Sequence, residues 1–123
     1  MNANERFVMK FFDYWVQGDL DAIVDSFCED GVYHNVPMER LEGRDAIRET
    51  IGTWLKTLTN ISFRFGTCVS QGNVVVVEHF DQIPTSSGTR ELPVLGLFEL
   101  RDGKIREWRE YFDLGQMAAL HSE

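Results

Sequence analysis

The sequence predicts an α+β fold: N-terminal helices packed on a curved, mostly antiparallel sheet, forming a cone with one open mouth. Three observations carry this. Up to Leu58 the apolar residues recur mainly at helical spacing, and after Asn60 the period changes to two. Breaks at Gln71-Gly72-Asn73, "SSGT" and "RDGK" cut the remainder into four strand-like runs, and Asp-Gly is a strong hairpin signal. The 123 residues contain no repeat, linker or low-complexity stretch, which suits a single domain spanning 1–123.

Taken in order, Phe7, Val8, Phe11, Phe12 and Trp15 mark one face of a first helix. Gly18 ends it, and Asp19 caps a second helix with Leu20, Ile23, Val24 and Phe27 on its apolar side. Glu29-Asp30-Gly31 reads as a turn, and "VYHNVP" as a short strand stopped by Pro37. Gly43 opens a third helix that presents Ile47, Ile51, Trp54, Leu55 and Leu58. The meander follows as "ISFRFGTCVS", "VVVVEHFDQI", "RELPVLGLFEL" and "IREWREYFDL". "LGQMAALHSE" is either a short helix or a frayed tail.

Composition narrows the function. Hydrophobic residues make up 43% of the chain, enough for a core. A net charge of −8, from 20 acidic and 12 basic residues, disfavours binding to phosphate backbones, so no nucleic-acid partner is expected. No phosphate-cradling glycine loop is present. The N-terminus lacks the features of a secretory leader, and no apolar run approaches the ~20 residues that cross a bilayer. A soluble cytoplasmic protein is expected. Cys28 and Cys68 form no metal-type pair and read as buried free thiols in a reducing compartment.

Strand parity sorts the chemistry. In a strand, residues i and i+2 share a face. Val75, Val77, His79, Asp81 and Ile83 lie on one face of their strand, and Val74, Val76, Glu78 and Phe80 on the other. In the last strand Ile105, Glu107, Arg109 and Tyr111 alternate with Arg106, Trp108, Glu110 and Phe112. Glu110 thus sits between two aromatics, where desolvation raises a carboxyl pKa. Leu92, Val94, Gly96 and Phe98 share a face, as do Tyr33 and Asn35. If these faces converge, one pocket holds Tyr33, Asn35, His79, Asp81 and Glu110. Its walls are then Trp54, Leu58, Ile83, Leu92, Val94, Phe112 and Met117, the usual form of a small-molecule site.

At these residues the chain resembles the limonene-1,2-epoxide hydrolases. "VYHNVPMERLEGRDAI" is similar to their Tyr-x-Asn strand followed by Pro and Gly-Arg-Asp-Ala. "VVEHFD" is similar to their Arg-x-Asp strand, and "LPVLGLFELRDGKIREWREYFDL" to their last hairpin. The likeness runs from about Phe7 to Met117. It implies the cone-shaped fold of nuclear transport factor 2, ketosteroid isomerase and SnoaL-like proteins. It also implies a cofactor-free, one-step attack of water on an epoxide. On that reading Glu110 is the base, Tyr33 and Asn35 position the water, Asp81 is the acid, and His79 bridges the two carboxyls.

Two positions depart from the family pattern. Glu110 stands for an aspartate and reaches one methylene further. His79 stands for an arginine. A histidine bridges two carboxylates only when protonated, and between two acids its pKa should rise. Without the resemblance, His79 and Asp81 also read as a structural pair, Glu110 as a rim residue, and Tyr33 and Asn35 as polar residues beside a turn. His79-x-Asp81 also opens an iron facial triad, which needs a second histidine. Only His34, on the opposite face from Tyr33, and His121, in the tail, remain, so no metal is expected.

The expected function is hydrolysis of an apolar epoxide to a vicinal diol. The alternatives are a non-hydrolytic acid/base enzyme of the same fold, an isomerase or an epoxide-opening cyclase, and an inert ligand-binding domain. The outer sheet face, with Glu78, Phe80 and valines, is expected to form a homodimer.

Overall fold

A computed structural model describes residues 1–120. Helix α1 spans Ala3–Gln17 and α2 Leu20–Asp25. Strand β1 spans Phe27–Asn35, β2 Arg40–Glu42, and helix α3 Arg44–Leu55. The meander is β3 Ser62–Gln71, β4 Val74–Thr85, β5 Gly88–Arg101 and β6 Lys104–Tyr111, and α4 spans Leu114–Leu120. The strands form one open sheet in the order β2-β1-β6-β5-β4-β3. Only the β1/β6 pairing is parallel. This is the expected α+β fold.

The helix ends follow their local chemistry. Asn2 caps α1 by accepting from Glu5 N, and the Glu5 side chain accepts from the Asn2 backbone in return. Gly18 closes that helix with φ 69°, the left-handed conformation that glycine adopts without penalty. Asp19 caps α2 through Ala22 N. Val8, Phe11, Phe12 and Trp15 of α1 lie in one core with Phe27, Ile47, Ile51, Val75, Val77, Phe98, Ile105 and Trp108. The core fills the inner face of the sheet at the end where α1 crosses it.

Four departures from the sequence reading trace to a β-bulge or to an unusually short strand. Phe27 leaves the helix and opens β1, with its side chain wholly buried. Glu29-Asp30-Gly31 is no free turn but part of β1, where the register against β6 slips between Phe27 and Val32. The bulge is tight: a Cβ on Gly31 would lie 2.9 Å from the Cys28 carbonyl oxygen. Strand β2 leaves no sign in the sequence, because three residues carry no alternation; it pairs with β1 through Val32, Tyr33 and His34.

The fourth departure is in β6. Its register against β5 slips between Glu99 and Leu100, so Arg106 is an extra residue. Ile105 therefore joins Trp108 in the core rather than lying on the opposite face. Beyond the bulge the expected parity resumes. Leu58 follows α3, Phe112 follows β6, and Cys68 on edge strand β3 is only half-buried.

Candidate functional site

The site grows from two adjacent rows of residues crossing the sheet. In one row Tyr33 of β1 pairs with Trp108 of β6, and Trp108 with Phe98 of β5. Their rings form a continuous stack: Tyr33 on Trp108 at 4.3 Å and 6°, and Trp108 on Phe98 at 5.2 Å and 13°. The stack fixes the phenol. In the next row Asn35 pairs with Glu110, and Glu110 with Gly96. His79 and Asp81 enter from β4, opposite Val94 and Leu92.

These residues meet. His79 Nδ1 lies 2.7 Å from Asp81 Oδ1, and Nε2 lies 2.9 Å from Glu110 Oε2. The imidazole is 0% exposed, with Phe12 and Phe63 packed around it at ring-centroid distances of 4.8 Å and 5.9 Å. Glu110 is buried, whereas the Asp81 side chain keeps 20% of its surface exposed.

The electrostatics follow from that geometry. Burial pulls the His79 pKa down, but the Glu110 charge and hydrogen bonds to Asp81 and Glu110 overcome it and push the value up to about 10. At neutral pH His79 is an imidazolium that donates from both nitrogens. Burial pushes Glu110 above the ordinary carboxyl range, against the opposing pull of His79. Burial also drives the Tyr33 phenol well above its ordinary value, assisted by the Glu110 charge, so it stays a neutral hydroxyl. Asn35 lies beside that hydroxyl and offsets part of the shift.

A cavity of about 310 Å³ opens above this floor. Tyr33, Asn35, Asp81 and Glu110 border it, and so do all seven expected wall residues: Trp54, Leu58, Ile83, Leu92, Val94, Phe112 and Met117. His79 does not reach the cavity surface; it lies beneath, between the two acids. Trp15, Met38, Thr57, Ile61, Phe63 and Trp108 also line the space and were missed. Trp15 and Trp108 carry the same apolar periodicity as core residues, so pattern alone gives no signal that one edge meets a cavity. Helix α4 completes the wall: Asp113 caps it through Gln116 N, and its Leu120 and Met117 pack with Leu92 and Val94. A second hollow of about 460 Å³, bordered by Cys28, Asp30, Arg101 and Lys104, is a polar surface depression away from these groups.

Among the described residues, no group of three His, Cys, Asp or Glu side chains is arranged to hold a metal ion. His121 lies outside the described residues. No helix among them is long and apolar enough to cross a membrane.

Chemically, the arrangement offers a buried carboxylate, a second carboxyl open to the cavity, a cation joining them, and a phenol and an amide opposite. It can remove a proton at one point and deliver one at another. Known proteins share this frame. Epoxide hydrolase EphG of Mycobacterium tuberculosis (strain ATCC 25618 / H37Rv) is 30% identical over 104 residues, which cover 80% of this chain and 66% of that protein. The chain thus spans just under two thirds of that relative's length. The structure of an M. tuberculosis LEH-like epoxide hydrolase superposes with a TM-score of 0.78 at 25% identity, covering 93% of this chain and 85% of the other. SalBIII, described as an epoxide hydrolase/cyclase-like enzyme in pyran ring formation in polyether salinomycin, superposes at 0.79 with 24% identity, covering 91% and 92%, which speaks for the fold alone. Residues 8–108, most of the chain and nearly all of its sheet, match the SnoaL-like domain family, and the chain belongs to that family.

Proposed function

We propose that the protein adds water in one step to the epoxide of an apolar small molecule, giving a vicinal diol. The observation that carries this is the Asp81–His79–Glu110 chain of hydrogen bonds on the floor of an otherwise apolar cavity. Epoxide opening needs a proton removed from water and a proton delivered to oxygen, and two carboxyls in different environments divide that work.

A water held by Tyr33, Asn35 and Glu110 attacks one epoxide carbon. Glu110 takes its proton as the new C–O bond forms and the old one breaks. Asp81 gives its proton to the departing oxygen, which becomes the second hydroxyl. His79 stays protonated throughout; its positive charge offsets a carboxylate that burial would otherwise neutralise. Asp81 regains its proton, and Glu110 loses its own, through the open mouth. No step calls for a cofactor.

Incubation with a panel of apolar epoxides in ¹⁸O-water tests the reaction. One ¹⁸O in a diol supports it. An unlabelled cyclised or rearranged product replaces it with non-hydrolytic cyclase or isomerase chemistry. Binding without turnover replaces it with a passive ligand-binding role. Association of two copies through the outer sheet face belongs to the same proposal, supported by exposed Val69, Leu95 and Tyr111 there; sedimentation equilibrium reads it.

A further inference from the structure

Gly96 lies in the middle of β5, paired with Val77 on one side and Glu110 on the other. Its backbone is outside the left-handed region, so conformational freedom does not explain a glycine here. Space does. A Cβ at this position would lie 2.5 Å from Glu110 Oε2, 3.3 Å from His79 Nε2 and 3.5 Å from Trp108 Nε1. Three polar atoms carried by two flanking strands converge over one bare Cα. Trp108 Nε1 is buried and completes no hydrogen bond, yet it borders the same niche, where its N–H favours an ionised Glu110.

The geometry points to Gly96 as a positioning residue: the space left by its missing side chain is the seat that holds the Glu110 carboxylate on His79. The assignment rests on the reading of Glu110 as the base. It also explains how a glutamate serves at that place. Its extra methylene is absorbed sideways over Gly96 instead of projecting the carboxylate into the cavity. Of the three atoms a methyl group at position 96 would meet, only Glu110 Oε2 lies closer than 3.0 Å, and it is the far end of a flexible side chain, so the cheapest relief is for Glu110 to swing away. The sheet survives and the bridge to His79 breaks.

The experiment compares Gly96→Ala, Glu110→Asp and the double variant with the wild type. Side-chain ¹⁵N–¹H spectra of His79 read the bridge without any substrate. In the wild type both ring N–H protons lie downfield and exchange slowly. In Gly96→Ala the Nε2–H signal is lost and the His79 titration midpoint falls by about one unit or more. In the double variant the shorter carboxylate clears the methyl group, and signal and midpoint partly return. Epoxide turnover follows the same order: Gly96→Ala loses about 10²-fold in kcat, as expected for a base displaced by about 1 Å, and the double variant exceeds it.

A wild-type His79 spectrum in Gly96→Ala overturns the assignment, as does a double variant no better than Gly96→Ala. If Gly96→Ala unfolds and the double variant folds, the assignment stands; if both unfold, the space serves the sheet and the assignment falls. If the spectra behave as expected but no epoxide is turned over by the wild type, the hydrolase reading fails while the role of Gly96 holds.

Discussion

Two glutamates in this sheet lie across from a glycine, and they sit on opposite faces. Glu78 of β4 occupies the space beside Gly66, where a Cβ would be 2.1 Å from Glu78 Oε1. Glu110 of β6 lies over Gly96. The packing device is the same, but the surroundings differ. Glu78 is on the outer, solvated face, and its Oε1 accepts the Thr67 N–H at 3.1 Å where β3 bulges between Phe65 and Cys68. It ties off a backbone group that the bulge leaves unpaired. Glu110 is walled by Trp108 and Gly96 and meets a sealed imidazolium. Water decides the outcome: the exposed carboxylate is a structural acceptor, while the buried one has an altered affinity for protons and can do chemistry.

The largest test of this contrast is chemical. Glu110→Gln and Asp81→Asn should each lower diol formation by about 10²–10⁴-fold, measured as kcat on an active epoxide, while Glu78→Gln leaves turnover at the wild-type level. Equal losses at positions 78 and 110 would erase the distinction. Next is the cation. His79→Gln leaves the buried Glu110 carboxylate without the positive charge it meets at Nε2, and unfolding in urea should show a loss of about 3–5 kcal/mol, the usual cost of breaking a buried ion pair.

The pH dependence sharpens the same point. His79 binds its proton more tightly folded, at about 10, than at its ordinary value of 6.5. Its stabilising contribution is therefore complete below pH 6.5 and is lost as pH rises through about 10. Thermal melts across that interval should show the decline in the wild type and not in His79→Gln. His79→Arg keeps a charge that does not titrate there, so it should move any alkaline loss of turnover to higher pH. The smallest effect belongs to the outer face. Gly66→Ala displaces Glu78 from Thr67, and the loss of one exposed hydrogen bond should cost ~1 kcal/mol or less in urea melts without touching turnover.

Much of this was legible because β4, β5 and the outer half of β6 alternate strictly. Parity alone separates Glu78 from His79 and Asp81, and it puts Glu110 beside Trp108. What stayed hidden depends on neighbours rather than on the chain itself. A bulge is set by the register of two strands, so Gly31 and Arg106 read as a turn and an ordinary strand residue. Gly96 carries no side chain to classify, and its meaning comes from atoms of β4 and β6. Trp15 and Phe63 have the look of core because most of each is core, and only the cavity reveals the remaining edge.

Helix α4 gives the cavity a division of labour. Its Leu120 and Met117 rest on Leu92 and Val94 in an apolar cluster distinct from the main core, while the proton-handling groups stand on β1, β4 and β6. Under the proposed function, one stretch of the wall that meets a substrate is supplied by a helix that carries none of the groups acting on it. Substitutions in α4 can therefore redraw what fits while leaving the acid–base machinery undisturbed. For a lineage or an engineer seeking a new substrate, the seven-residue α4 is the cheapest place to begin.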